Sequence, residues 1–157
     1  MLTSEPSTSY EVRPISYASI LGDPNATELL AQYSEECAIG DIGQPCPQVS
    51  LYDALEKSGS MRSFGVYEGT ELVGFAAILE YVLPHYGKKV AAVESIFISK
   101  SYRTDTGKAL MGAIENQAKA DGCTAVLYSA RAGTRFERLL ERLAFYQRTN
   151  SVFLRKL

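Results

Sequence analysis

Apolar and polar positions alternate in YEVRPISY (residues 10–17), which predicts a first strand. The period then lengthens to that of a helix in ATELLAQYSEECA (26–38), where Leu29, Leu30 and Tyr33 share one side and Asp23, Pro24 and Asn25 supply a start signal. The Gly- and Pro-rich stretch IGDIGQPCPQ separates this helix from SLYDALEKSG (50–59), whose Leu51, Ala54 and Leu55 predict a short helix closed by Gly59. Three runs rich in β-branched and aromatic residues follow: RSFGVYEG (62–69), ELVGFAAILEYVL (71–83) and KVAAVESIFIS (89–99). Joined by EGTE and PHYGKK, they predict an antiparallel meander. GKALMGAIENQAKADG (107–122) places Ala109, Leu110, Ala113, Ile114 and Gln117 at helical spacing and stops at Asp121 and Gly122. TAVLYSA (124–130) predicts a strand, TRFERLLERLAF (134–145) a helix with Phe136, Leu139, Leu140 and Leu143 on one face, and NSVFLRKL (150–157) a closing strand. The order is strand, two helices, three strands, helix, strand, helix, strand. It predicts an α/β (α+β) fold in one domain spanning residues 1–157, with no internal repeat.

A chain of 157 residues with 46% hydrophobic and 22% charged residues is long and apolar enough for a core of its own, which excludes disorder. Cys37, Cys46 and Cys123 are odd in number and lack CxxC spacing, and His85 is the only histidine, so no zinc ligand set is expected and the thiols read as reduced. MLTSEPSTSYEV has neither a basic start nor an apolar run, and no stretch approaches the ~18 apolar residues of a membrane span, so a cytoplasmic protein is expected. The net charge of −2 gives no reason to expect nucleic acid as a partner. Its distribution is uneven: residues 1–60 carry nine acidic side chains against Arg13 and Lys57, whereas residues 131–157 carry seven basic ones against Glu137 and Glu141. Such polarity fits opposed binding surfaces or two solvated faces.

The chemistry concentrates in VESIFISKSYRTDTGKALMGAI (93–114), where an apolar strand pattern gives way to Arg103, Thr104, Asp105, Thr106, Gly107 and Lys108 before a helix begins. A Walker loop is excluded, because Tyr102 holds its first Gly position and Ala109 follows Lys108. With the element order, this stretch resembles the fourth strand, phosphate loop and following helix of the GNAT superfamily of acyl-CoA-dependent N-acyltransferases. The resemblance runs over roughly residues 9–157, and ERLAF is similar to the family's Leu-Gly-Phe helix ending, with Ala144 at the Gly position. It implies a GNAT-like fold, a central mixed, mostly antiparallel sheet of six to seven strands flanked by about four helices, and an acetyl-CoA co-substrate without metal. The short free-standing form is also similar to phage-encoded members, which would place it in a host cytoplasm.

Physical chemistry agrees with this resemblance. Backbone N–H groups opening a helix lack intrahelical partners and sit at the positive end of its dipole, so a loop there grips a diphosphate. Gly107 allows close approach, and Arg103 and Lys108 add charge. The coenzyme-binding residues are thus expected to be Arg103, Thr104, Thr106, Gly107, Lys108 and Ala109, with Ile96, Phe97 and Ile98 matching the family segment that pairs with the pantetheine arm. The family's spacing of Arg or Gln, two residues, Gly, one residue, Gly or Ala would put small residues at Thr106 and Lys108, so the loop is one residue shorter or Gly107 is shifted in register. Asp105 adds a negative charge where the anion docks, and a helix merely capped by Asp105 or Thr106 is the plain alternative.

For catalysis, an amine must be unprotonated to attack a thioester, which calls for a base. Glu94, set among Val93, Ile96, Phe97 and Ile98, matches the acidic position many family members use, although strand alternation also allows it to face solvent. The family's leaving-group Tyr falls on Leu140; Tyr128, Ser129 and Tyr146 are the candidate substitutes, with plain core or rim positions as the alternative reading of each, and no single Tyr is expected to supply the acid. His85 and Tyr86 in the hairpin, Ser129, and Glu35 and Glu36 on the acidic helix are the candidate acceptor contacts. That acidic pair of helices favours a basic acceptor, either a small amine or a protein amine, and a homodimer is open. A Ser-His-Asp hydrolase is the weaker catalytic alternative, since no GxSxG elbow exists and the lone His85 lies in a hairpin, and a decayed GNAT fold serving as a protein-binding or coenzyme-sensing module is the alternative to an enzyme.

Overall fold

A computed structural model of the protein describes residues 10–157; residues 1–9, on which the expectation of no leader rests, lie outside them. The elements are β1 (Tyr10–Pro14), α1 (Tyr17–Leu21), α2 (Ala26–Cys37), α3 (Val49–Lys57), β2 (Met61–Glu68), β3 (Glu71–Leu83), β4 (Lys88–Ile98), a 3-10 turn (Lys100–Tyr102), α4 (Thr106–Ala120), β5 (Val126–Leu127) and α5 (Arg135–Arg142). They build one five-stranded sheet in the order β1-β2-β3-β4-β5, with antiparallel pairs throughout except the parallel β4–β5 edge.

The predicted meander forms to within one residue at each boundary, turning at Gly69 and Gly87, both with φ of +59°. β3 is buried continuously from Leu72 to Ile78, and this follows from its place in the middle of the sheet with helices on both faces. On one face α4 packs Leu110, Ile114 and Ala118 against Phe64, Val73 and Val93. On the other, Tyr17, Ile20 and Leu29 of the first two helices cover Met61, Phe75 and Phe97.

Among the described residues the sheet has five strands, a correction to the six to seven expected, and five helices accompany it, in line with the expected set of about four. The run 17–21 is a helix, α1, because the Ser16 hydroxyl accepts the Ser19 N–H at 3.1 Å and opens a turn before the alternation can continue. The predicted strand 150–157 does not form. Strand propensity is realised only against a partner, and β5 offers two ladder residues; Val152 and Phe153 stand 93% and 90% exposed. Among the described residues no helix is long and apolar enough to cross a membrane.

At the C-terminal end of α4, Arg62 donates to the Asp121 carboxylate (3.0 Å), Gln117 joins the same oxygen (2.9 Å), and Lys89 pairs with the buried Glu80 (2.6 Å). The Arg62 hydrogen bond, above all, holds Asp121 down to about 2, whereas burial pushes Glu80 up. For Asp121 the folded value lies below the unfolded one, so its stabilisation is present above the ordinary carboxylate range and is lost as pH falls toward 2. Glu80 has the opposite sign: its contribution is present below the unfolded value and fades as pH rises through the folded one. Melting curves should therefore fall in Tm on acidification below about pH 4, and Asp121→Asn should lessen that slope, with Glu36 held down by Arg103 sustaining the remainder, at a cost of roughly 1–2 kcal/mol at pH 7.

Candidate active site

The site begins at an irregularity in β4. Ser95 pairs with Ala77 and Val93 with Ile78, so Glu94 is the extra residue of a β-bulge. A bulge breaks strict alternation and re-aims the side chain it carries. Glu94 consequently stands exposed between the buried Val93 and Ser95, on the side covered by α1–α3. The Tyr52 hydroxyl of α3 donates to Glu94 Oε1 at 3.1 Å. Tyr52 in turn stacks on the buried Tyr17, ring centroids 3.8 Å apart and 10° from parallel. Glu56 anchors this stack by accepting from the Tyr17 N–H (2.9 Å) and the Ser63 hydroxyl (2.7 Å).

Burial, followed by the nearby Tyr17 and Glu94, pushes the Tyr52 phenol up, so it remains a donor at any physiological pH. Tyr33 of α2 is pushed up to about 12, first by burial and then by the Glu94 charge. Sequence pattern does not single out Tyr17, Tyr33 and Tyr52 as site residues. The only signal for them is a tyrosine on the apolar side of each of two helices.

The same strand opens the second half of the site. The ladder between β4 and β5 covers only Ala91 with Val126 and Ala92 with Leu127, so from Val93 to Ile98 that edge of β4 meets no strand among the described residues. An unpaired edge presents N–H and C=O groups to an extended chain. Ile96 is half-buried there, Phe97 and Ile98 buried.

Beyond it, the 3-10 turn leads into α4, whose N-cap Asp105 makes no side-chain cap. Among the described residues, the N–H groups of Thr106, Gly107 and Lys108 find no protein acceptor. The Thr106 hydroxyl donates back to Tyr102 O (2.6 Å), which ties the loop to the helix start. A Cβ built on Gly107 would meet nothing within 4 Å, so open space lies over this helix end. Thr104, Lys108 and Ala109 are exposed around it. These features suit a diphosphate at the helix end and an extended arm along β4, which is what acetyl-CoA requires.

Other candidates lie elsewhere. Tyr128 and Tyr146 both donate to Glu115 Oε1 of α4, at 3.1 and 2.6 Å, and pack edge to face with centroids 5.5 Å apart. Tyr128 belongs to the core on the α4 side of the sheet, whereas Glu94 faces α3. Burial and then the Glu115 carboxylate push Tyr128 up, and the same causes act on Tyr146. His85 and Tyr86 are exposed in the β3–β4 hairpin and contact each other edge to face. Five residues of β4 stand between Lys88, at the end of that hairpin, and Glu94, about 20 Å of strand. Ser129 is exposed just after β5.

The acidic wall is thinner than the sequence suggested. Glu35 is exposed, but Glu36 is held by Arg103, Glu56 by Tyr17 and Ser63, and Asp23 caps the Asn25 N–H at 2.9 Å. Arg103, expected at the diphosphate, is turned to Glu36 and to Ile98 O instead. Among the described residues no group of three His, Cys, Asp or Glu side chains could hold a metal ion.

The bulge at Glu94 and the open N-terminus of α4 thus lie at the two ends of the β4 stretch that follows its short ladder with β5. The GNAT acetyltransferase family model matches residues 24–148, and the chain belongs to that family. It is an acetyl-CoA-dependent N-acyltransferase. Comparison with curated proteins found no match. Solved structures share the fold at low identity. A ribosomal-protein-alanine N-acetyltransferase from Brucella melitensis biovar Abortus 2308 is 18% identical with a TM-score of 0.69, over 94% of this chain and 99% of that one. An aminoglycoside acetyltransferase from an uncultured soil metagenomic sample, solved with trehalose, is 13% identical with a TM-score of 0.74, over 98% and 99%. An aminoglycoside N-acetyltransferase solved with CoA is 18% identical with a TM-score of 0.71, over 99% of both chains.

Proposed function

We propose that the protein acetylates a primary amine, a small basic amine or a protein amine, by direct attack on acetyl-CoA with Glu94 taking the proton. The observation that carries this reading is the bulge that turns Glu94 out of β4 beside the stretch of that strand left unpaired. The pantetheine arm would lie along Glu94 to Ile98 as an added strand, and the coenzyme diphosphate on the N–H groups of Gly107 and Lys108 with the Lys108 ammonium, Thr106 being buried beneath them. The amine nitrogen attacks the thioester carbonyl, the C–S bond breaks, and the proton of the new ammonium passes to Glu94 directly or through one water. The thiolate leaves without a dedicated acid, since a thiol with a pKa near 8.5 is a modest base at neutral pH. Tyr128 and Tyr146 serve their Glu115 contact in this scheme.

A basic acceptor is favoured because Glu94 and the exposed Glu35 lie on the side of the sheet that carries α2 and α3, and such charges concentrate cations. Neighbours of this fold named for aminoglycosides and a ribosomal protein accord with an amine acceptor.

Two measurements test this. Acetyl-CoA at a hundredfold excess over its dissociation constant should stabilise the protein by about 2.7 kcal/mol, and Lys108→Ala should shrink that gain. Thiol release from acetyl-CoA should depend on added spermidine, with a Michaelis constant that rises between about 50 and 300 mM salt as screening tightens. No thermal shift at millimolar acetyl-CoA would remove the diphosphate assignment. A preference for an acidic or neutral acceptor would remove the charge argument.

A further inference from the structure

We infer that Arg103 is a positioning residue that, with Glu36, brackets the end of α2 to the phosphate loop and so sets the acceptor side of the cleft, rather than a ligand of the coenzyme diphosphate. The inference rests on the reading of the α4 N-terminus as the diphosphate site.

All three guanidinium nitrogens of Arg103 are engaged by the protein. Nε donates to Ile98 O at 2.8 Å, Nη1 to Glu36 Oε1 at 2.9 Å and Nη2 to Glu36 Oε2 at 2.6 Å. This is the parallel fork that a planar guanidinium makes with a carboxylate, and the strongest pairing open to it. The guanidinium carbon also lies 5.1 Å from the Phe97 ring centroid. Both side chains are mostly covered, 22% and 27% exposed, so water screens the pair less than it would a surface ion pair. A diphosphate could recruit Arg103 only by displacing Glu36, while the helix N–H groups and Lys108 stand ready without any such exchange.

The bracket has something to position. It joins residues 67 apart in sequence, one on α2 and one between β4 and α4. Arg131 Nη1 reinforces it from the α5 side, donating to Glu36 O at 3.3 Å. One turn before Glu36 on the same helix, Tyr33 packs its ring on Phe97 (5.9 Å) and Phe75 (5.6 Å) within reach of the Glu94 charge. Loosening the end of α2 therefore shifts the wall that faces Glu94 and leaves the N–H groups of α4 where they are.

The test uses the full chain and the variants Glu36→Gln, Arg103→Gln, Arg103→Lys and the double Gln variant. CoA affinity by calorimetry should stay within about twofold in all four, because the helix-end ligands are untouched. Amide exchange at residues 33–38 and the spermidine Michaelis constant should each rise about tenfold in either single variant, and no further in the double than in Arg103→Gln, since the fork is lost in every case. Arg103→Lys should resemble Arg103→Gln, for lysine keeps the charge and loses the fork. Weakening of CoA by tenfold or more in Arg103→Gln, with unchanged or tighter CoA in Glu36→Gln, would overturn the inference in favour of a diphosphate ligand. Unchanged exchange at residues 33–38 in both single variants would overturn it as well. If spermidine is not an acceptor of the unaltered protein, the proposed acceptor class fails, and the calorimetry and exchange still decide the bracket.

Discussion

Glu94→Gln should lower the turnover of spermidine acetylation by about a hundredfold or more and leave CoA affinity essentially unchanged. The amide is isosteric and still accepts from the Tyr52 hydroxyl, so the bulge and the Tyr17–Tyr52 stack should survive. What disappears is the negative charge and the lone pair that receives the ammonium proton. Because the free amine is the nucleophile in both proteins, both rates should rise with pH through the pKa of the acceptor amine, with the gap between them maintained. Tyr52→Phe offers the companion measurement. It deletes only the donor to Glu94 Oε1 and should change the rate by a far smaller factor than Glu94→Gln. A pH–rate profile for Glu94→Gln that overlays the unaltered one would remove this carboxylate from the mechanism.

The features legible in the sequence were those carried by local pattern. The β2–β4 meander is written in β-branched runs separated by EGTE and PHYGKK, and the loop ahead of α4 in a change of hydrophobic period at Arg103; both form where expected. Glu94 stood out as a carboxylate in an apolar strand, but its direction depends on the bulge, which is a property of the pairing with Ala77 and Ile78 and not of β4 alone. The partners that define the site are remote in sequence. Tyr52 meets Glu94 across 42 residues and Arg103 meets Glu36 across 67, separations over which no periodicity carries information. For the same reason the acidic wall was overcounted: composition registers Glu36 and Glu56 as charges and is blind to the Arg103, Tyr17 and Ser63 groups that engage them. The strand expected at 150–157 failed in the complementary way, since its propensity was correctly read but the edge it needs is not built.

Phe75→Ala should destabilise the fold more than any substitution at the Glu94 cleft or the Arg103–Glu36 bracket, by about 3–5 kcal/mol. Phe75 is fully buried on the central strand β3, and its ring lies against those of Tyr17 (6.4 Å), Tyr33 (5.6 Å) and Phe97 (6.3 Å). Truncation removes the transfer free energy of the ring and leaves a cavity whose walls are themselves pinned: Tyr17 by its stack on Tyr52, and Phe97 by β4. Sites that cannot collapse fall at the costly end of that range. Against a typical total of 5–15 kcal/mol for a domain, the Tm should drop by roughly 10 °C or more, as read by calorimetry. Because Tyr17 and Tyr33 also border the Glu94 cleft, the protein that remains folded below the new Tm should turn over more slowly, with the loss concentrated in the acceptor Michaelis constant. Phe75→Leu refills most of the volume and should recover the larger part of both losses. A Tm within about 2 °C of the unaltered protein for Phe75→Ala, less than 1 kcal/mol on this scale, would mean that α1 and α2 settle onto the sheet without the aromatic cluster.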